Sequence, residues 1–152
     1  MVGSTQQLSA AGDRAWRNLL DSHDVVARTV VEQHGGRLVR TTVTTGDGIL
    51  ATFEHPGRAI RCALALADAL RPLGIQIRAG LHTGEIESRE DDIAGIAVHI
   101  SSRVLDAAGA NELMVSAAGP MLVAGSGLAF DDRGEHELKG VPGSWHLYAV
   151  KP

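Results

Sequence analysis

The chain has 152 residues, of which 44% are hydrophobic and 21% are charged, and its formal net charge is −4. This size and balance are typical of one soluble globular domain, here residues 1–152, and they exclude a disordered chain. The 14 Lys and Arg residues are scattered rather than gathered into a basic stripe, which argues against a nucleic-acid partner.

The predicted elements begin with a long helix over residues 5–34. Apolar residues recur three and four positions apart in this stretch, and Gly35-Gly36 ends it. Residues 37–53, RLVRTTVTTGDGILATF, are rich in Val, Ile and Thr and are interrupted by Gly46-Asp47-Gly48. This pattern predicts a β-hairpin with an Asp-Gly turn.

A second helix is predicted from Pro56, which suits a first helical turn, to about Leu70. Cys62, the only cysteine, falls in this helix and is interpreted as a small core residue. Further along, the sequence predicts a strand at 75–86, a charged loop at 88–92, a third helix at 94–108 and another strand at 112–117. A short helix at 117–125 and two closing strands at 128–141 and 144–150 follow.

The order of these elements predicts an α+β fold of the ferredoxin-like type, βαββαβ, with a strand-rich C-terminal extension. The first strand of that pattern has no counterpart before the first helix. Because this strand lies in the middle of the sheet, its absence would leave two strands with unpaired edges. The N-terminus MVGSTQQLSA lacks the features of a signal peptide, and no apolar run approaches ~18 residues. A cytoplasmic location without membrane contact is therefore expected.

Five stretches occur in one order along the chain: VGST, HGGRLV followed by TTGDGILATF, RAGLHTGE, DIAGIAVHISSRV and HELKGVPGSWHLYAV. Together they resemble the catalytic domain of class III adenylate and guanylate cyclases. The resemblance implies a homodimer with catalytic sites at the interface of two protomers. It also implies ATP or GTP as substrate, Mg²⁺ or Mn²⁺ as cofactor, and a 3′,5′-cyclic nucleotide and pyrophosphate as products.

The family uses two aspartates to hold its metal ions. The resemblance places Asp47 at the second of these positions, whereas the first would fall immediately before Met1. The alternative for Asp47 is a plain turn residue, since Asp-Gly is a favoured hairpin corner. At the N-terminus, Gly3, Ser4 and Thr5 would hold phosphate oxygens through free backbone N–H groups, and the alternative there is a plain Ser N-cap.

The resemblance implies that Asp92 reads the purine together with a lysine on the hairpin. That lysine is absent, and counting from the two ends of the hairpin places either Val43 or Arg40 at its position. The two counts disagree because the hairpin is three residues longer than the family spacing, which would turn later side chains to the opposite face. Asp91 beside Asp92 leaves the alternative of a solvated acidic loop, and the choice between ATP and GTP stays open.

His99 and Arg103 lie four residues apart on the predicted third helix and so share a face. By resemblance, Arg103 stabilises charge that develops on the α-phosphate, and His99, where the family has Asn, orients the ribose. Lys139 matches a family position that reaches the triphosphate. The alternatives are a surface ion pair with Asp106 for Arg103, a packed hydrogen-bonded role for His99, and an exposed strand lysine for Lys139.

Two functions from different classes follow from these residues. The first is a nucleotidyl cyclase that is impaired because one metal aspartate and the purine-reading lysine are absent. The second is a cyclase-like module without catalysis, which forms homodimers or senses nucleotides. A generic ferredoxin-like binding domain is a third interpretation, against which the joint spacing of Asp92, His99 and Arg103 argues.

Overall fold

A computed structural model of the chain describes residues 2–39, 48–89 and 92–152, and for 4–11, 87–89 and 92–94 it describes the backbone alone. The helices are α1 (Ser4–Gln33), α2 (Pro56–Leu70), α3 (Ile96–Asp106) and α4 (Ala118–Leu122). The strands are β1 (Arg37–Val39), β2 (Leu50–Thr52), β3 (Ala79–Leu81), β4 (Glu87–Arg89), β5 (Asp92–Ala94), β6 (Leu113–Ser116), β7 (Phe130–Glu137) and β8 (Ser144–Val150). No helix in these ranges is long and apolar enough to cross a bilayer.

The helices follow the predicted pattern closely. Helix α2 begins at Pro56 and ends at Leu70, as the proline predicts, and a single 3₁₀ turn then leads to Gly74 in the left-handed conformation. Helix α1 contains a break that the apolar periodicity does not reveal. Gly12 has φ 79° and ψ 169° inside the helix, which only glycine adopts readily. The turns of α1 before Gly12 and the turns after it, which pack in the core, therefore form two separate helical segments.

The described strands form separate sheets. Strands β1 and β2 pair antiparallel, with Val39 opposite Leu50, so the strands of the predicted hairpin are confirmed. The larger sheet has the order β3-β6-β8-β7, in which β3 and β6 are parallel and the other pairs antiparallel. The predicted charged loop at 88–92 is wrong, because β4 and β5 form a small antiparallel hairpin there. The predicted strand at 75–86 is shorter, since its ladder with β6 begins only at Ala79.

Strands β2 and β3 each have an edge without a partner among the described strands, as do β1, β7 and both strands of the β4–β5 pair. Strand β2 pairs with β1 alone, and β3 pairs with β6 alone. Near this second edge, the backbone N–H of Val2 donates to the carbonyl of Gln76 over 2.7 Å, which holds the start of the chain beside the residues leading into β3. The absence of a middle strand stays a prediction.

Two of the apolar clusters join α1 to α2 and hold α3 on the larger sheet. Helices α1 and α2 pack together through Ala27, Val31, Leu66 and Leu70, all buried. On the larger sheet, Ile100 and Val104 of α3 pack against strand and turn residues Met114, Leu138, Val141 and Leu147. Fully burying each large side chain contributes about 1.5–3 kcal/mol. The α3 cluster therefore fixes the helix that carries the matched residues firmly on β6 and β8.

The core contains a buried cysteine and a glycine that lies against α3. Cys62 is buried, as predicted, and burial raises the pKa of its thiol to about 11. Gly80 of β3 faces the backbone of α3, and a Cβ at this position would lie 2.3 Å from the Leu105 nitrogen. Only glycine therefore permits the observed approach of α3 to β3.

Candidate nucleotide site on helix α3

Helix α3 presents His99 and Arg103 beside its buried face. Gly95, with φ 126°, precedes the helix, and Val98, Ile100 and Val104 anchor it in the core. His99 and Arg103 are both partly exposed. The apolar periodicity of this helix thus leaves the two matched side chains at the edge of the core, where a ligand can reach them.

Arg103 is held in an ion pair with its own helix. Its Nη1 donates to Oδ2 of Asp106 over 3.1 Å, which is the alternative that the sequence offered for this residue. The Nε–H group of Arg103 is buried and has no hydrogen-bond partner among the described residues. A buried donor without a partner is costly. Because Nη1 is engaged by Asp106 and Nε is shielded from solvent, a phosphate oxygen could bind Nε only after the Arg103 side chain moves.

The turn between β7 and β8, residues 138–143, lies against His99. Gly140 in this turn has φ 77°, and a Cβ there would lie 3.3 Å from Nε2 of His99. Lys139 is its exposed neighbour. A groove of about 420 Å³ follows the turn and is lined by Glu137, Leu138, Lys139, Val141 and Gly143. The structure therefore brings His99 together with the segment that carries Lys139.

A hydrogen-bonded histidine to which the resemblance assigns no role lies beside this turn. Nδ1 of His82, at the end of β3, is 2.7 Å from Oγ of Ser116, at the end of β6. The His82 ring meets the Trp145 ring edge-on, with centroids 5.8 Å apart. Burial lowers the pKa of His82. The only sequence signal was its place in RAGLHTGE, which identifies the motif but no contact.

The N-terminal residues lie at a helix start. Gly3 is the N-cap of α1, with φ 69° and ψ 29°, and no side-chain hydrogen bond caps the helix. The alternative of a Ser N-cap is therefore wrong. The side chains of Ser4 and Thr5 lie outside what the structure describes. Their proposed contact with phosphate stays a prediction.

The metal and purine residues are not placed by the described structure. Asp47 lies outside the described residues, as do Arg40, Val43 and the predicted Asp-Gly turn. The backbone of Asp92 lies in β5 opposite Arg89, but its side chain is not described. Elsewhere, among the described side chains, no three His, Cys, Asp or Glu residues are grouped to hold a metal ion.

A second histidine cluster lies on the edge strand β7 of the larger sheet and its neighbour β8. His146 of β8 is bridged by two carboxylates of β7, with Nε2 2.6 Å from Oδ1 of Asp132 and Nδ1 3.0 Å from Oε1 of Glu135. Hydrogen bonds that the His146 ring donates to Glu135 and Asp132 raise the pKa of His146. The pKa values of both carboxyls are lowered, chiefly by hydrogen bonds from the Gly134 backbone to Asp132 and from Ser144 to Glu135. The cluster spans the register shift in β7 and contains none of the matched residues.

Comparisons with known proteins give distant relatives. No family model matches the chain. An uncharacterized protein of Mycobacterium tuberculosis is 34% identical over 124 residues, covering 78% of this chain and 42% of that protein. Putative adenylate cyclase 3 of Rhizobium meliloti is 28% identical over 136 residues, covering 84% of this chain and 23% of that protein. The chain thus spans less than half the length of the curated relatives it matches.

Solved cyclase structures superpose on nearly the whole chain. The adenylyl cyclase CyaB of P. aeruginosa has a TM-score of 0.83 at 20% identity and covers 99% of this chain and 89% of its own. The guanylate cyclase domain of RhGC from Catenaria anguillulae, solved with GTP, has a TM-score of 0.81 at 19% identity, with 99% and 91% covered. An adenylate/guanylate cyclase/hydrolase of Silicibacter pomeroyi has a TM-score of 0.74 at 26% identity, with 90% and 86% covered. The motif order and these structural matches agree, and the chain is a class III nucleotidyl cyclase homology domain.

Proposed function

We propose that this domain is a nucleotidyl cyclase of low turnover that converts ATP or GTP to the 3′,5′-cyclic nucleotide and pyrophosphate. The observation that supports it best is the close approach of the turn that carries Lys139 to His99 of α3, with Arg103 one helical turn further along the same helix. The resemblance assigns a role to each of these residues. The proposal of low turnover rests on the lengthened hairpin and the absent purine-reading lysine.

In the proposed reaction the ribose 3′-oxygen forms a bond to the α-phosphorus while the bond from that phosphorus to the pyrophosphate oxygen breaks. The hydroxyl proton leaves to solvent or to a base. The guanidinium of Arg103 would stabilise the charge on the α-phosphate, His99 would orient the ribose, and Lys139 would bind the triphosphate. Divalent cations, when bound, supply charge neutralisation and lower the pKa of the hydroxyl. Asp47 offers the hard oxygen ligand that Mg²⁺ and Mn²⁺ prefer.

The test is cyclic nucleotide production by the purified chain with ATP and with GTP, each in Mg²⁺ and in Mn²⁺. We expect slow turnover that needs the metal and that disappears in Arg103→Ala. Product formed equally by Arg103→Ala would contradict the assignment of Arg103. Comparing the two nucleotides at saturation would also decide the substrate, which the sequence leaves open.

The second candidate is a module that binds nucleotide without converting it. The ion pair between Arg103 and Asp106 favours it, because this pair engages the guanidinium that catalysis would need. Tight binding of ATP or GTP, measured by calorimetry, together with no cyclic product in either metal would support this candidate over the first.

Both candidates include a head-to-tail homodimer with sites at the interface. The matched residues divide into a metal group, Asp47, and a group on and around α3, and the family joins such groups across two protomers. Sedimentation at high concentration with nucleotide and Mn²⁺ should show a dimer. Monomer under these conditions would count against a shared site.

A further inference from the structure

Three side chains outside the proposed site link the ends of two strands to the turn that carries Lys139. His82 is hydrogen-bonded to Ser116 and meets Trp145 edge-on. The indole N–H of Trp145 in turn donates to the carbonyl of Pro142 over 3.1 Å. A continuous series of contacts therefore runs from the buried end of β6, where Ser116 is 2% exposed, to the turn at 138–143.

This turn is anchored at only some of its residues. Leu138 and Val141 are buried in the α3 cluster, and the Val141 N–H donates to the Leu138 carbonyl over 2.9 Å. Lys139 and Gly140 between them are exposed. Gly140 nevertheless lies close to Nε2 of His99. The position of this exposed peptide then depends on how the far side of the turn, at Pro142, is held.

His82 is fitted to that role by its surroundings. Its ring lies near the first turn of α3, since a Cβ at Gly84 would lie 3.2 Å from Nε2 of His82 and 3.1 Å from Cβ of Ala97. Burial lowers the pKa of its ring, which favours the neutral imidazole. The packed elements carry further titratable groups, none of which bonds to His82 in the described part of the chain. They are His99 and Arg103 on α3, His146 on β8, Glu85 in its own loop, and Glu137 and Lys139 at the turn.

We infer that His82 is a positioning residue of the proposed nucleotide site, which acts through Trp145 to set the 138–143 turn against His99 and so to place Lys139 at the triphosphate. The roles of His99 and Lys139 in this inference rest on the proposed function. The contacts from His82 to the turn do not rest on the proposed function, because they are present in the structure.

The positioning itself is tested without any activity. His82→Asn keeps a polar partner for Ser116 but removes the ring that contacts Trp145. The double variant His82→Phe/Ser116→Ala keeps an aromatic ring and removes the hydroxyl that would otherwise be buried without a partner. Amide hydrogen exchange of residues 138–143 should be about tenfold faster in the Asn variant and close to wild type in the double variant, with α2 as an internal reference. Unchanged exchange in the Asn variant would overturn the inference.

The contact is tested by the fluorescence of Trp145 in a Trp16→Phe background. An imidazolium quenches a neighbouring indole, so emission should fall with a midpoint below pH 6.5, the usual pKa of histidine. His82→Gln should abolish this step, whereas His146→Gln should leave it, because the pKa of His146 is raised rather than lowered. A low-pH step that survives His82→Gln would show that Trp145 senses another group, against the inference.

The link to the site is tested with Mn²⁺ and either nucleotide. His82→Asn should raise KM about tenfold and change kcat less, because Lys139 is proposed to bind the triphosphate, and the double variant should restore KM to within about threefold. An equal KM in the Asn variant would overturn the role of His82. A wild-type chain that makes no cyclic nucleotide overturns the proposed function instead, and the exchange rates of the turn still decide whether His82 positions it.

Discussion

The larger sheet with α3 and the hairpin β1–β2 differ in how completely their strands are supported. In the larger sheet β6 and β8 are paired on both sides, and α3 is packed so closely on β3 that Gly80 has no room for a side chain. The hairpin has three described residue pairs, and each of its two strands has one edge without a described partner. The residues proposed for the transition state therefore lie on a helix that is packed on a well-paired sheet, whereas Asp47 falls in the segment between β1 and β2 that lies outside the described residues.

The largest effect should come from joining the two regions with a strand. We expect that an apolar strand ending in Asp-Ile, fused before Val2, pairs with the free edges of β2 and β3. Burying several apolar side chains at about 1.5–3 kcal/mol each should raise Tm by about 10 °C. Metal-dependent turnover should also rise, because a second carboxylate then accompanies Asp47.

The control for this fusion is the same strand ending in Asn-Ile. It should keep the gain in Tm, measured by calorimetry, and lose the gain in turnover. Equal rates of cyclic nucleotide production from the 152-residue chain and the Asp-Ile fusion would mean that the site does not need the added carboxylate.

The transition-state role assigned to the sheet region is tested at Arg103. Arg103→Ala should lower kcat on the order of 10² to 10³-fold while nucleotide affinity hardly changes, because the guanidinium is proposed to act mainly as charge develops. Steady-state kinetics and calorimetry with Mn²⁺ measure the two effects. Asp106→Asn is the matched control, since it removes the ion pair but keeps Arg103, and its kcat should equal or exceed that of the wild type. A similar loss in both variants would indicate helix damage instead.

The close packing of α3 on β3 can be disrupted by a substitution at Gly80. Gly80→Ala adds a Cβ that meets the Leu105 backbone at 2.3 Å, and overpacking of this kind costs about 1–3 kcal/mol of unfolding free energy. Gly57→Ala in α2 is the control, because its Cβ would meet only the flexible end of Arg61, at 3.2 Å, and Val123, at 3.7 Å. That change should be neutral or stabilising, since alanine favours helix. Urea unfolding that shows the same stability for both variants would contradict the close α3 approach.

The fold was largely predictable because its signals are local. Pro56 and the glycine after Leu70 define α2, and alternation of apolar residues defines the strands of the larger sheet. The hairpin β4–β5 was missed because its charged sequence, SREDD, is typical of a loop. The break at Gly12 was missed because a single glycine inside a periodic pattern does not by itself end a helix.

The candidate site was predictable only in part, for the same reason. The Arg103–Asp106 pair lies within one helix, so the spacing of three residues was enough to foresee it. The contact of His82 with Ser116 joins residues 34 positions apart, and that with Trp145 joins another strand, so no periodicity could indicate either. Such contacts arise from sheet order, which the sequence pattern alone does not specify.

The smallest expected effect on stability concerns the cluster of His146, Asp132 and Glu135 on β7 and β8. The raised pKa of His146 means that its stabilising contribution is present below about pH 6.5 and is lost as the pH rises through its folded value. The lowered pKa values of Asp132 and Glu135 mean that their contribution is present above about pH 4.5 and is lost on acidification. The cluster should therefore stabilise the fold most between these limits.

Calorimetry of wild type and His146→Gln from pH 5 to 8 checks this dependence. The difference in Tm should be small, greatest near pH 5.5 and smallest near pH 8, since exposed ion pairs contribute little. The pH dependence of His82 has the opposite sign, because its lowered pKa means that its contribution to stability is lost as the pH falls. The Tm of His82→Gln should therefore differ from that of the wild type most at the acid end of the pH range. A difference for His146→Gln that grows toward pH 8 would contradict the raised pKa.

The single buried thiol makes this chain well suited to site-specific labelling. Cys62 is protonated at neutral pH and shielded from solvent, so maleimide reagents should leave it untouched in the folded protein. One cysteine introduced at an exposed position of the hairpin and another on β7 would then carry spectroscopic probes without any change to the native residue. Distances between such probes would report directly whether nucleotide binding draws the hairpin toward the larger sheet.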